Sequence, residues 1–179
     1  MGGSFNPPHV GHLWAATYVH AVEPVDEVWL MPAFHHPFGK TLISFDHRLA
    51  MCERLCADTS GWLKAVDVER QAGGQGWTVE TLTFLRQQHP GWTFSLVIGS
   101  DILKDLPSWR DFDRIQQLAK VIVIQRAGHP SAKAKGPAMA EISSSEIRQN
   151  FAEGRVPADR VPRSVLAYIE AKHLYSQGP

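Results

Sequence analysis

The sequence predicts an α/β domain with a largely parallel sheet, on three observations. Segments of helical hydrophobic period alternate along the chain with short, strand-like apolar runs. A length of 179 residues falls in the range of one globular domain, so residues 1–179 are expected to act as a single unit, with helices from about 143 to 175 packing on its core. Apolar residues at 44% and charged residues at 20% are ordinary globular usage, which opposes disordered, collagen-like and coiled-coil readings.

Gly11 to Val22 repeats apolar residues at a helical period, and the chain then passes Pro24 into a strand, Val28 to Met31, ended by Pro32. Ser44 is the N-cap expected for a helix from Phe45 to Ala57, and Leu63 to Val68 alternates as a strand does. Gly73, Gly74 and Gly76 mark a loop before a helix from Thr78 to Gln88. Phe94 to Ile98 reads as a strand ending in a sharp Gly99-Ser100-Asp101 turn. Val121 to Ile124 is the most strongly β-branched run, as in a strand buried on both faces. His129 to Pro137, rich in Pro, Gly, Lys and Ala, is expected to be a mobile loop. Two terminal helices start at Ser143 or Ser144 and at Pro162.

Lys plus Arg and Asp plus Glu each number 18, so no net positive field draws in a nucleic-acid backbone. Cys52 and Cys56 fall on one helix as face neighbours, not disulfide partners, which suits a reduced, cytoplasmic setting. No apolar run approaches the roughly 20 residues that span a bilayer, and Asn6 stands where a myristoylation signal needs Ser or Thr. Nucleic acid and membrane are therefore not expected partners. Gly39-Lys40-Thr41 is no P-loop end, because the required earlier Gly falls at Phe34; Val79 likewise spoils a dinucleotide fingerprint at Gly73, Gly74 and Gly76.

Two strings carry chemistry. Gly2-Gly3-Ser4-Phe5-Asn6-Pro7-Pro8-His9-Val10-Gly11-His12 sets a polar loop before a helix, where amide groups and the helix dipole favour phosphate. His9 and His12, three apart, can both point at that place, and Gly11 leaves room for close approach. Either His alone reads best as a surface residue; the whole string does not. A metal site with His35 and His36 lacks a completing Cys or carboxylate. In Ile142-Ser143-Ser144-Ser145-Glu146-Ile147-Arg148, hydroxyls cap a helix and an Arg follows one turn in, which again suits phosphate.

The first string resembles the H-x-G-H signature of the nucleotidyltransferase superfamily, and the second resembles its I-S-S-T-x-I-R motif. Together they resemble bacterial nicotinate mononucleotide adenylyltransferases, over Gly2 to about Tyr175 and in the same order, including Pro37 to Lys40, Gly76 to Thr81, Gly99 to Asp101, Trp109 and Val165 to Tyr175. The resemblance implies a Rossmann-like three-layer fold and transfer of AMP from ATP to nicotinate mononucleotide. His9, His12 and Arg148 would be catalytic. Gly3, Ser4, Phe5, Asn6, Gly99, Asp101, Ser143 and Ser144 would join them in binding ATP. Trp77, Thr78 and Trp109 would hold the pyridine ring, with Lys40, Arg48 and Arg126 as candidates for its phosphate or for the triphosphate. Mg2+ would arrive on ATP, without a protein metal site.

Departures are Ser145 for the usual Thr, Trp77 for the usual Tyr, and the His35 to Lys40 stretch. Phosphopantetheine adenylyltransferase, or a silent nucleotide-binding homologue, is the alternative; Gly76 to Thr81 and Trp109 fit a pyridine nucleotide better. A homo-oligomer stays open. The family has a short apolar strand before the Gly-Gly pair where Met1 stands here, so the expectation is a true start upstream. A missing central strand would otherwise strand backbone groups beside the phosphate loop.

Overall fold

The computed structural model describes residues 1–35 and 42–176. Its strands pair in parallel in two groups of three. In the first, β1 (Gly2–Gly3) lies beside β2 (Val28–Pro32), and β2 beside β3 (Leu63–Ala65), with Gly2 opposite Met31 and Val28 opposite Leu63. In the second, β4 (Ser95–Gly99) pairs with β5 (Lys120–Arg126), and β5 with β6 (Lys135–Met139).

Alternation along these strands makes the layers. Val28 and Leu30 of β2, Val97 of β4, and Ile122 and Ile124 of β5 join one core. That core also takes Ala15, Ala16 and Val19 from α1 (Val10–Val22), Met51, Cys52 and Leu55 from α2 (Phe45–Cys56), and Val165 and Ile169 near the C-terminus. The intervening residues Leu96, Ile98 and Val123 face the other way, onto Leu82 and Ile115. Helices on both faces explain why the strands read as continuous apolar runs. The packing helices on the second face are α4 (Thr78–Gln88) and α5 (Phe112–Leu118); α3 (Val68–Ala72) reaches the sheet near Met31. α6 (Ser144–Ala152) and α7 (Arg163–Ala171) close the chain on the first face.

Two local expectations change. The strand read from Leu63 to Val68 stops at Ala65, apart from one bond from Val66 N–H to the Leu30 carbonyl at 3.0 Å. Asp67 then starts a helical turn: its carboxylate takes Arg70 at 2.8 Å and also the Gln71 amide, and Gly73 in the left-handed region ends it. The end of the segment expected to be a loop, from Lys135 on, starts β6. This edge strand gains from β5 the partner its own sequence does not announce, and Gly136, at φ 78, lies against the Tyr18 ring where a Cβ would not fit.

β1 is the Gly-Gly pair itself. Met1 extends it, accepting from Met31 N–H at 3.0 Å and donating its ammonium to the Trp29 carbonyl at 2.8 Å; burial pushes that ammonium down to about 5. Between β2 and β4 lies a cleft of about 390 Å³ lined by Val28, Trp29, Leu96 and Val97. No ladder joins β1 to β4 among the described residues. Instead α1 spans the two groups through its apolar face and through Glu23, which holds Lys120 at 2.8 Å and Lys135 at 2.9 Å.

Candidate active site

The loop from Ser4 to Pro8 is drawn into the core: Phe5 and Asn6 are each 1% exposed, and Phe5 takes a left-handed φ of 46°. It delivers the chain to α1 with His9 as N-cap. The His9 and His12 rings stand 3.8 Å apart, and Phe5 leans on His12 at 4.8 Å. His12 Nδ1 accepts the His9 amide at 3.1 Å.

Burial, helped by the positive charge of Arg126, pushes His9 down to about 4; burial and then the neighbouring His9 hold His12 well below the usual imidazole range. Both rings are therefore neutral near pH 7. With Nδ1 accepting, neutral His12 carries its proton on Nε2, a donor without a formal charge. Among the described residues the buried Nδ1 of His9 has no hydrogen-bond partner. Gly11 gives its space to His9: a Cβ there would lie 3.0 Å from His9 Nδ1.

Of the amides expected to be open at this helix start, Val10 N–H is already used on the Arg160 carbonyl at 2.9 Å.

The second motif meets the first. Ser144 Oγ donates to the Pro7 carbonyl at 2.9 Å, and Arg148 Nη1 to the Asn6 carbonyl at 2.7 Å, while Arg148 Nη2 reaches Ser145 Oγ at 3.1 Å. Ser143 is the N-cap of α6, accepting from Ser145 N–H at 3.2 Å. Tyr175, which local pattern does not single out, donates to Asn6 Oδ1 at 2.8 Å. Two elements far apart in sequence thus shape the loop before α1.

Gly99 ends β4 where Asp101 and Arg126 leave no room for a Cβ, and Asp101 faces the Arg126 guanidinium at 3.9 Å. Ser100 fixes this corner, donating to the His129 carbonyl at 2.6 Å and accepting from Arg126 N–H at 2.9 Å. Arg126, grouped by sequence with the acceptor, stands where its charge is felt by both histidines.

Trp77 is the N-cap of α4 and Thr78 its first residue. Trp109 is half-buried against the second core and meets Phe112 edge-on at 6.5 Å, so it has a packing role whatever else it does. Arg110 bridges the two regions, with its guanidinium 5.9 Å from the Trp77 ring and 3.5 Å from Glu80. Arg48 is buried, giving Nε to the Ile43 carbonyl at 3.1 Å and Nη1 to the Ser4 carbonyl at 3.0 Å; this is a loop-holding position. Lys40 lies outside the described residues. Neither the cleft beside Met1 nor a groove of about 640 Å³ by Val66, Arg70 and His89 is lined by His9, His12, Trp77 or Arg148. Among the described residues, no three His, Cys, Asp or Glu side chains gather to hold a metal ion.

The chain is similar to known proteins over nearly its whole length. Residues 1–150 match the cytidylyltransferase-like family model. A probable nicotinate-nucleotide adenylyltransferase of Myxococcus xanthus is 56% identical over 175 residues, 98% of this chain and 92% of that protein. Its counterpart in Anaeromyxobacter dehalogenans (strain 2CP-C) is 46% identical over 178 residues, covering 98% and 94%. The fold matches that of the Plasmodium falciparum nicotinic acid mononucleotide adenylyltransferase complexed with NaAD, at a TM-score of 0.80 and 23% identity over 97% of this chain and 94% of that one. Full-length likeness at this level places the chain in the cytidylyltransferase-like family, among the nicotinate-nucleotide adenylyltransferases.

Proposed function

We propose that the chain transfers AMP from ATP to nicotinate mononucleotide, giving nicotinate adenine dinucleotide and pyrophosphate, and that it does so as a single domain in the cytoplasm. The observation that carries this reading is the neutral pair His9 and His12 at the start of α1, with Arg126 and Arg148 close to the same loop.

The acceptor phosphate is largely dianionic near neutral pH, its second pKa being about 6, so no protein base is needed. One of its oxygens attacks the α-phosphorus of ATP in line; the new P–O bond forms as the bond to the β-phosphate bridging oxygen breaks, and pyrophosphate leaves; Mg2+ carried on ATP would neutralise part of its charge. The chain supplies position and charge: His12 Nε2–H and His9 as uncharged donors, and Arg148 and Arg126 as cations, against the growing charge on the leaving group. Gly3, Ser4, Phe5, Asn6, Gly99, Asp101, Ser143 and Ser144 shape the ATP side. Trp77, Thr78 and Trp109 hold the pyridine ring, where stacking on an aromatic face contributes roughly 1–3 kcal/mol.

Pyrophosphate release with MgATP and each of nicotinate mononucleotide, nicotinamide mononucleotide and phosphopantetheine tests the reading. Nicotinate mononucleotide is expected to give the highest kcat/KM. ATP binding without pyrophosphate release, or turnover on phosphopantetheine alone, would overturn it.

A further inference from the structure

We propose that Glu69 is a positioning residue for the acceptor side, its carboxylate holding the Phe34 amide and so fixing the Phe34–His35 stem against the Gly76–Trp77 turn. This rests on Trp77 and Thr78 being acceptor-binding residues.

The chain leaves β2 at Pro32, and Ala33 N–H still finds a backbone acceptor, the Gly3 carbonyl at 2.9 Å. Phe34 N–H is different. β3 has ended at Ala65, and the neighbouring Val66 turns its own amide to Leu30, so the acceptor comes from a side chain: Glu69 Oε2, at 3.0 Å. The next carbonyl, that of His35, stands 2.6 Å from where a Cβ on Gly76 would sit, and Gly76 has φ 80. A side chain is excluded there on both counts. The stem therefore touches the turn immediately before Trp77, backbone against backbone, one residue beyond the amide that Glu69 holds.

Charge marks Glu69 as unusual for a helix-face acid. Burial pushes its carboxyl up to about 7, against the opposing pull of the Phe34 amide and of Arg48. Arg70, one residue on, instead meets Asp46 and Asp67 at exposed positions. Arg48 completes the frame by holding the Ser4 and Ile43 carbonyls. A carboxylate kept out of water to serve one backbone amide is costly unless that amide's place matters. The ATP side draws on other elements: α1, the end of β4, and α6.

Two conservative variants separate the readings. Glu69→Gln keeps an oxygen for Phe34 N–H and loses the charge; Glu69→Asp keeps the charge and withdraws it by one methylene. The acceptor KM is expected to rise about tenfold in Glu69→Asp, in line with one lost hydrogen bond, with kcat and the ATP KM within about twofold. Glu69→Gln should stay near wild type. Equal impairment of both variants, or an ATP KM rising in step with the acceptor KM, would overturn the proposal.

Amide exchange tests the tether without turnover. Exchange at Phe34 should be slow in wild type and Glu69→Gln and fast in Glu69→Asp, and equal rates in all three would overturn it. A wild-type enzyme that adenylylates no mononucleotide sinks the reading of the acceptor side and the substrate effect with it, leaving the exchange rates to decide the tether.

Discussion

His12 has two duties on one ring. Its Nδ1 caps α1 by accepting the His9 amide, and its Nε2–H is left to donate. Replacing it by Ala removes both, and the losses differ in size. An unpaired buried amide costs about 1–3 kcal/mol, a few degrees of Tm in a chain of this length, whereas losing a donor aimed at developing charge costs about 10²–10³ in rate. His12→Ala should therefore nearly abolish pyrophosphate release and lower Tm modestly, and His12→Asn, with an oxygen for the His9 amide, should recover Tm without turnover. Calorimetry beside a pyrophosphate assay checks this; near-normal turnover in either variant removes His12 from the chemistry. His9, Gly11 and His12 were legible in the sequence because four neighbouring positions at a helix start fix their mutual geometry. Glu69, Arg110 and Tyr175 were not, since their partners Phe34, Trp77 and Asn6 lie 33 or more positions away and only the folded chain brings them near. Arg48 was legible as a cation, and its burial on two carbonyls was not.

At the scale of elements, α1 balances helix stability against site geometry. Gly is among the worst helix residues, about 1 kcal/mol poorer than Ala, yet Gly11 sits in the first turn of α1. A Cβ there would crowd the His9 ring at 3.0 Å, and that ring, 3% exposed, has little space into which to retreat. Gly11→Ala is expected to leave Tm within a few degrees of wild type, propensity offsetting crowding, while turnover falls at least about tenfold from a displaced imidazole. Unchanged kcat/KM would show that the glycine serves the helix alone. Elements with strong internal signals were readable in the sequence: α4 from Thr78 to Gln88, and α2 behind its Ser44 cap. Those that depend on a neighbour were not. β6 is Lys-Gly-Pro-Ala-Met, a strand only because β5 offers its edge, and α3 is five residues held by Asp67.

Across the whole molecule, buried titratable groups oppose one another in how stability depends on pH. His9 falls from 6.5 to about 4 on folding and His12 falls as well, so the unfolded chain binds more protons between those values. Their contribution is intact above pH 6.5 and is lost as pH drops toward 4. Glu69 moves the other way, from 4.5 to about 7, so the folded chain holds the extra proton; its contribution is intact below 4.5 and is lost as pH rises through 7. Glu23, held low by Lys120 and Lys135, adds stability above 4.5 that disappears only in stronger acid. Between pH 7 and 5 the single Glu69 slope offsets only part of the slope of the two histidines, so wild-type stability should fall gently. Glu69→Gln removes one side of this balance, since Gln does not titrate. Urea unfolding at pH 7, 6 and 5 should give a gently falling series for wild type and a steeper one for Glu69→Gln, each step reflecting protons taken up by His9 and His12 on unfolding. Parallel series would mean that Glu69 is charged and solvated at its place beside Phe34.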